Sequence, residues 1–234
     1  MDLTTTLRCP SAGWLLLRLI GEDLGRAGRW LRHLRSRQAP PPATLVAPPD
    51  TRLAKEAHAL VGRLTSPHIA DHCARTFAFG AALAKLHRRP YDAELLYVAS
   101  LLHDLGLSHA HAGDAPFELR GAQAARGWCM EQGMARDRAD RVHEAIALHT
   151  SLGVNDRTPE SLYVHLGAGV DVFGFHIEEL PRTEVEAILE AWPRADFKER
   201  FIADLEKEAA NPRSPLRNLW RLGFASKIRS APFD

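Results

Sequence analysis

From Asp50 to about residue 210, apolar residues recur three and four positions apart, and no run of four to eight residues alternates apolar with polar. A chain patterned in this way buries its oily stripes as helices and has nothing to offer a sheet. Asp50 is a candidate cap for "TRLAKEAHALVGRL", and Pro67 can open "HIADHCARTFAFGAALAKLH". "RRPYD" is a turn, with Asp92 set to cap "AELLYVASLLHDL". Further helices are expected over "FELRGAQAARGWCMEQ", stopped by Gly133, and over "DRADRVHEAIALHT", "PESLYVHLGAGVDVFG", "TEVEAILEAW" and "DFKERFIADLEKEAA". The fold class is all-α.

The first 38 residues read differently. Arg26, Arg29, Arg32 and Arg35 form a basic stripe beside Trp30, Leu31 and Leu34, which describes an amphipathic helix. Such a helix suits contact with an anionic membrane surface or, more simply, packing on a protein. Residues 39–50, "APPPATLVAPPD", cannot continue it and read as a linker. The expected division is therefore residues 1–38 as basic helix, 39–50 as linker, 51–210 as main domain and 211–234 as irregular tail. Pro212 and Pro215 motivate the last assignment. A net charge of +1 gives no general nucleic-acid signal. Cys9, Cys73 and Cys129 are odd in number and far apart, which argues against a disulfide framework and points to a reducing, cytoplasmic setting. No apolar run reaches the roughly 18 residues a membrane span needs.

Within this helical chain, "LLYVASLLHDLGLSH" puts His103 and Asp104 side by side where an apolar run stops before Gly106. Buried polar groups are costly unless paired or bound to something. With 12 histidines and 14 aspartates among 234 residues, about 0.7 such pairs arise by chance, so the pair needs context. His72 supplies some of it. It lies 31 residues upstream on the preceding helix, with a turn between, so two neighbouring helices can bring the three residues together. Asp171 lies in "HLGAGVDVFG", whose small residues allow close packing, and His149 closes another apolar helix. Two imidazoles and two carboxylates suit one divalent transition metal (Zn, Fe, Mn, Co or Ni), and four protein ligands leave positions free for water or substrate.

The order His72, His103-Asp104, Asp171 resembles the HD superfamily of metal-dependent hydrolases. The stretches "DHCARTFAFG", "LLHDLGLS", "FELRGAQAAR", "EAIALHT" and "GAGVDVFG" are similar to its cyanamide-hydratase-like branch over roughly residues 60–205. The resemblance implies a compact helical bundle, metal ligation by His72, His103, Asp104 and Asp171, and a metal-activated water as nucleophile. Two departures bear on this. Leu107 stands where many nucleotidase-type members carry a catalytic glutamate. Dinuclear members insert two further histidines, and only His149 offers itself, so one metal is expected with a second as the alternative.

Three other residues are candidates for catalysis or substrate contact: His149, Arg75 and Glu118. Arg75 lies one turn after His72 and is suited equally to hold an anionic substrate or to pair with a neighbouring carboxylate. Glu118 is a candidate proton-transfer group. His68 reads as an exposed helix-start residue, Asp114 as a turn residue, and His109, His111 and His165 as surface or supporting residues. Phe77, Phe79, Leu107, Phe117 and Phe173 are the expected apolar neighbours of a small substrate, nitrile-like or phosphoester. The alternatives are a nucleotide or phosphomonoester phosphohydrolase, a di-iron oxygenase of the same superfamily, and a non-catalytic helical binding module. A homo-oligomer is a further expectation.

Overall fold

The structure is a computed structural model that describes residues 45–151 and 154–233. The expected basic helix over residues 1–38 lies outside the described residues. Among the described residues there are ten α-helices and no strands. In chain order they are α1 (Arg52–Leu64), α2 (Pro67–Leu86), α3 (Ala93–Leu102), α4 (Phe117–Glu131), α5 (Arg136–Leu148), α6 (Pro159–Phe173), α7 (Arg182–Ala191), α8 (Phe197–Ala209), α9 (Leu216–Arg221) and α10 (Phe224–Arg229).

The sequence accounts for most of the ends. Thr51, rather than Asp50, caps α1, its hydroxyl accepting from the Ala54 N–H; Asp50 pairs with Lys55 instead. Asp92 caps α3 through the Leu95 N–H at 3.0 Å. After α4 the chain turns at Gly133 with φ +87°, a conformation glycine adopts without strain.

Helices α2 and α6 form the centre. They run antiparallel, since His72 meets Asp171 at one end and His87 meets Tyr163 at the other. Two glycines bring them together. A Cβ on Gly167 would lie 2.1 Å from the Thr76 carbonyl oxygen, and one on Gly80 would lie 2.4 Å from that of Tyr163. Both faces of α2 are covered, so Phe77, Phe79 and Leu83 are buried, each worth about 1.5–3 kcal/mol.

The tail departs from expectation. Residues after Asn211 form α9 and α10, and Leu216, Ile228 and Phe233 are buried. Pro215 does not break structure here because it sits immediately before α9, and Pro232 packs against Gly174 at the end of α6.

Candidate metal centre

His72 projects from the second turn of α2, where Pro67 sets the start of the helix. His103 is the C-cap residue of α3, and Asp104 leads into a 3-10 turn over Leu105–Leu107. Gly106 permits this arrangement. A Cβ there would stand 1.9 Å from the Phe117 carbonyl oxygen and 2.9 Å from the Gly121 N, so the turn lies directly on the backbone of α4. The pair ends its helix where another helix can press the turn inward.

His72, His103 and Asp104 are all buried, and they offer ligand atoms within 4.8 Å of one another. The two Nε2 atoms are 3.2 Å apart, and Asp104 Oδ2 lies 3.5 Å from His72 Nε2 and 3.4 Å from His103 Nε2. The far side of each ring fixes the tautomer. His72 Nδ1 donates to Asp171 Oδ2 at 2.7 Å, and His103 Nδ1 donates to the Ser100 carbonyl at 2.7 Å. Both partners are acceptors, so a neutral ring in either place carries its lone pair on Nε2. Two lone pairs at this distance repel unless a proton or a cation lies between them. Asp104 Oδ2 is itself buried without a hydrogen-bond donor. The residues present therefore fit a divalent cation.

The electrostatics agree. Burial opposes the Asp104 charge, yet the His103, His149 and His72 rings around it hold its carboxyl well below the usual range. Burial alone would lower His103, but Asp104 outweighs it and raises the imidazole above its ordinary value. The site keeps its negative charge and draws a positive one.

His149 joins from the C-cap of α5. Its Nδ1 donates to the Ile146 carbonyl at 2.7 Å, which leaves Nε2 facing Asp104 Oδ1 at 3.5 Å. The His165 ring donates to the His149 carbonyl and supports that helix end. Glu118 is buried on α4. Its Oε1 accepts from the Thr150 hydroxyl at 2.8 Å, while Oε2 has no hydrogen-bond partner. Burial pushes the Glu118 carboxyl above its ordinary value, against the pull of His149.

Two expected site residues stand elsewhere. Asp171 is not beside Asp104: it sits behind His72, with Oδ2 on His72 Nδ1 and Oδ1 accepting from Arg75 Nε at 2.8 Å and Arg194 Nη1 at 2.5 Å. His72 presents opposite ring edges to the two carboxylates, Nδ1 to Asp171 and Nε2 to Asp104. Arg75 is fully buried on Asp171 and on the Trp192 and Pro193 carbonyls, so it is not placed to contact substrate. The apolar neighbours also change. Phe117 packs on the His149 ring, but Phe77 meets Tyr97, Phe79 lies near Phe233, and Phe173 packs on Phe175 and Phe224. The rings flanking His72 are Phe197 and Phe201 of α8, both at 5.1 Å. His68 is not an exposed cap but pairs with Asp204 at 2.8 Å.

Residues 69–173 match the HD domain family model. The chain is 28% identical over 198 residues to cyanamide hydratase DDI2 and, equally, to cyanamide hydratase DDI3, both of Saccharomyces cerevisiae. The matches cover 81% of this chain and 87% of each relative. With its paired His103-Asp104 and its helical fold, the chain carries a match to the HD domain over residues 69–173 and is similar over most of its length to the cyanamide hydratases.

Proposed function

We propose that this metal-dependent HD enzyme is a hydratase that adds water across the carbon–nitrogen triple bond of a small, uncharged nitrile of the cyanamide type. The observation that carries the reading is the convergence of the His72 and His103 Nε2 lone pairs on an Asp104 oxygen that has no donor of its own. A divalent ion held by these three residues supplies activation of water, lowering its pKa from about 16 towards 7.

The chain's own residues do the rest. His149 Nε2 faces Asp104 Oδ1, and the Phe117 ring packs edge-on against the His149 imidazole. Glu118, its Oε1 held by Thr150, keeps Oε2 free to take a proton from the attacking water and return it to the nitrile nitrogen. Oxygen bonds to carbon, both water protons end on the product, and no group leaves. A nitrile gives an amide, and cyanamide gives urea. With Asp171 committed to two guanidiniums, Asp104 supplies −1 at the ion and an ionised Glu118 brings the total to −2, so the site needs no further anion from its substrate. This favours a neutral substrate over a phosphoester, and Arg75, the cation expected to hold a phosphate, is spent on Asp171.

The test is urea formation from cyanamide by protein loaded in turn with Zn, Fe, Mn, Co and Ni, beside nucleotide and phosphomonoester substrates. Metal-dependent urea formation that a chelator abolishes is the expected result. Phosphate release without nitrile turnover overturns the assignment.

A further inference from the structure

Asp171 has more cationic partners than a buried carboxylate needs. Arg75 Nε alone would pair with it. Arg194 adds a second guanidinium, whose Nη1 contacts both Oδ1 at 2.5 Å and the Asp171 backbone carbonyl at 2.6 Å. One nitrogen thus grips the side chain and the main chain of the same residue, which fixes the carboxylate's rotation. The arrangement carries a cost: Arg194 Nε and Nη2, and Arg75 Nη2, are buried without hydrogen-bond partners.

The surroundings hold Arg194 to this one geometry. Its guanidinium lies 4.7 Å from the Phe197 ring centroid and 4.5 Å from that of Phe233. Phe197 in turn stacks on His72. Arg75 Nη1 fastens the Trp192 and Pro193 carbonyls, the backbone that leads into Arg194. The next residue, Ala195, takes φ +42°, an uncommon conformation for a residue with a Cβ and one that marks a turn imposed by its surroundings. The loop between α7 and α8 is therefore built to deliver one guanidinium to one carboxylate oxygen.

We propose that Arg194 is a positioning residue for the metal centre: with Arg75 it holds Asp171 as the acceptor of the His72 Nδ1 proton and keeps it from becoming a ligand, so that His72 presents Nε2 in a fixed direction. An oxygen shared by two guanidiniums is a poor metal donor, and the other oxygen is occupied by the imidazole. Metal-binding histidines depend on such acceptors for tautomer and ring orientation, and losing one costs about 10–100-fold in metal affinity or activity. This inference rests on the metal-site reading above.

The test compares metal affinity in the full chain for Arg194→Lys, Asp171→Asn and Asp104→Asn, with far-ultraviolet circular dichroism to confirm folding. The absorption spectrum of the cobalt-substituted protein reports ligand geometry apart from turnover. Arg194→Lys keeps a charge but loses the planar fork. It is expected to weaken metal binding about 10–100-fold and to shift the cobalt bands. Asp171→Asn is expected to weaken binding to a similar degree while still reaching one ion per chain at saturation, whereas Asp104→Asn does not bind. Asp171→Asn probes the arrangement from its other end, so the inference does not depend on one variant folding. If Asp171→Asn loses the ion as completely as Asp104→Asn, Asp171 is a ligand and the inference fails. It also fails if Arg194→Lys leaves both affinity and spectrum unchanged. Wild-type protein that binds no metal removes the functional reading itself, an outcome distinct from either failure.

Discussion

His72 separates two buried carboxylates with opposite surroundings. On its Nδ1 side, Asp171 accepts from an imidazole and two arginines. On its Nε2 side, Asp104 has one oxygen with no donor at all, facing two ring nitrogens that are themselves lone-pair bearers. In the first region both carboxylate oxygens have donors, and each guanidinium has a carboxylate within reach. In the second, the surrounding imidazoles offset the Asp104 charge, yet Oδ2 is left without a hydrogen-bond donor. A buried polar cluster that its own protein leaves unsatisfied is a candidate site, and one that is heavily satisfied is scaffold.

The largest expected effect breaks the comparison at its unsatisfied end. Asp104→Asn should reduce metal content from about one ion per chain to less than about 0.1 and abolish turnover, because a ligand is lost. Metal content by elemental analysis and a turnover assay check both halves.

At the satisfied end the pattern should invert. Asp171→Ala leaves two buried guanidiniums without their carboxylate and should cost about 3–5 kcal/mol of stability, read by urea unfolding of the chelated protein. Equal stability losses at Asp104 and Asp171 would erase the distinction between the regions.

A smaller effect sharpens the boundary. Glu118 is satisfied at one oxygen and free at the other, so it stands between the two cases. Its folded-state pKa is raised by burial, so the folded chain binds a proton more tightly than the unfolded one. The resulting penalty is full above the folded value and disappears as pH falls below the ordinary carboxyl range. Glu118→Gln should therefore raise the melting temperature of chelated protein near neutral pH by about 2–4 °C, the shift that about 1 kcal/mol gives in a chain of this size. The gain should vanish by about pH 4, while loaded enzyme slows about 100-fold. A gain that persists at acid pH would mean that burial of the charge is not its cause.

Much of this contrast was legible in the sequence, though not its direction. The helical period placed α2, α3 and α6, and the His72–His103 spacing implied that two neighbouring helices meet at those residues. The small residues before Asp171 signalled close packing, but that the partner is α2, which brings Asp171 to His72, emerged only in the structure. Which edge of His72 faces which carboxylate depends on ring rotation set by tertiary partners, so Asp171 was read as a ligand. Arg194 was missed because "WPRADF" is a loop with no periodicity, and only the two phenylalanines that enclose its guanidinium reveal its role. Thr150 was adjacent to a residue already singled out, but its hydroxyl acquires meaning only when α4 brings Glu118 to it. The tail misled for a related reason: Pro212 and Pro215 signal breaks, whereas the burial of Ile228 and Phe233 comes from surfaces supplied by distant helices.

The central claim is that His72, His103 and Asp104 hold one divalent ion. Elemental analysis of the purified full chain, paired with a crystal structure that records anomalous scattering at the metal edge, tests it most directly. The account predicts about one ion per chain, with a single peak between the His72 and His103 Nε2 atoms and Asp104 Oδ2, and Asp171 still held by Arg75 and Arg194. Protein that binds no ion in the presence of excess metal, or a pair of ions bridged by Asp104 and Asp171, would contradict it.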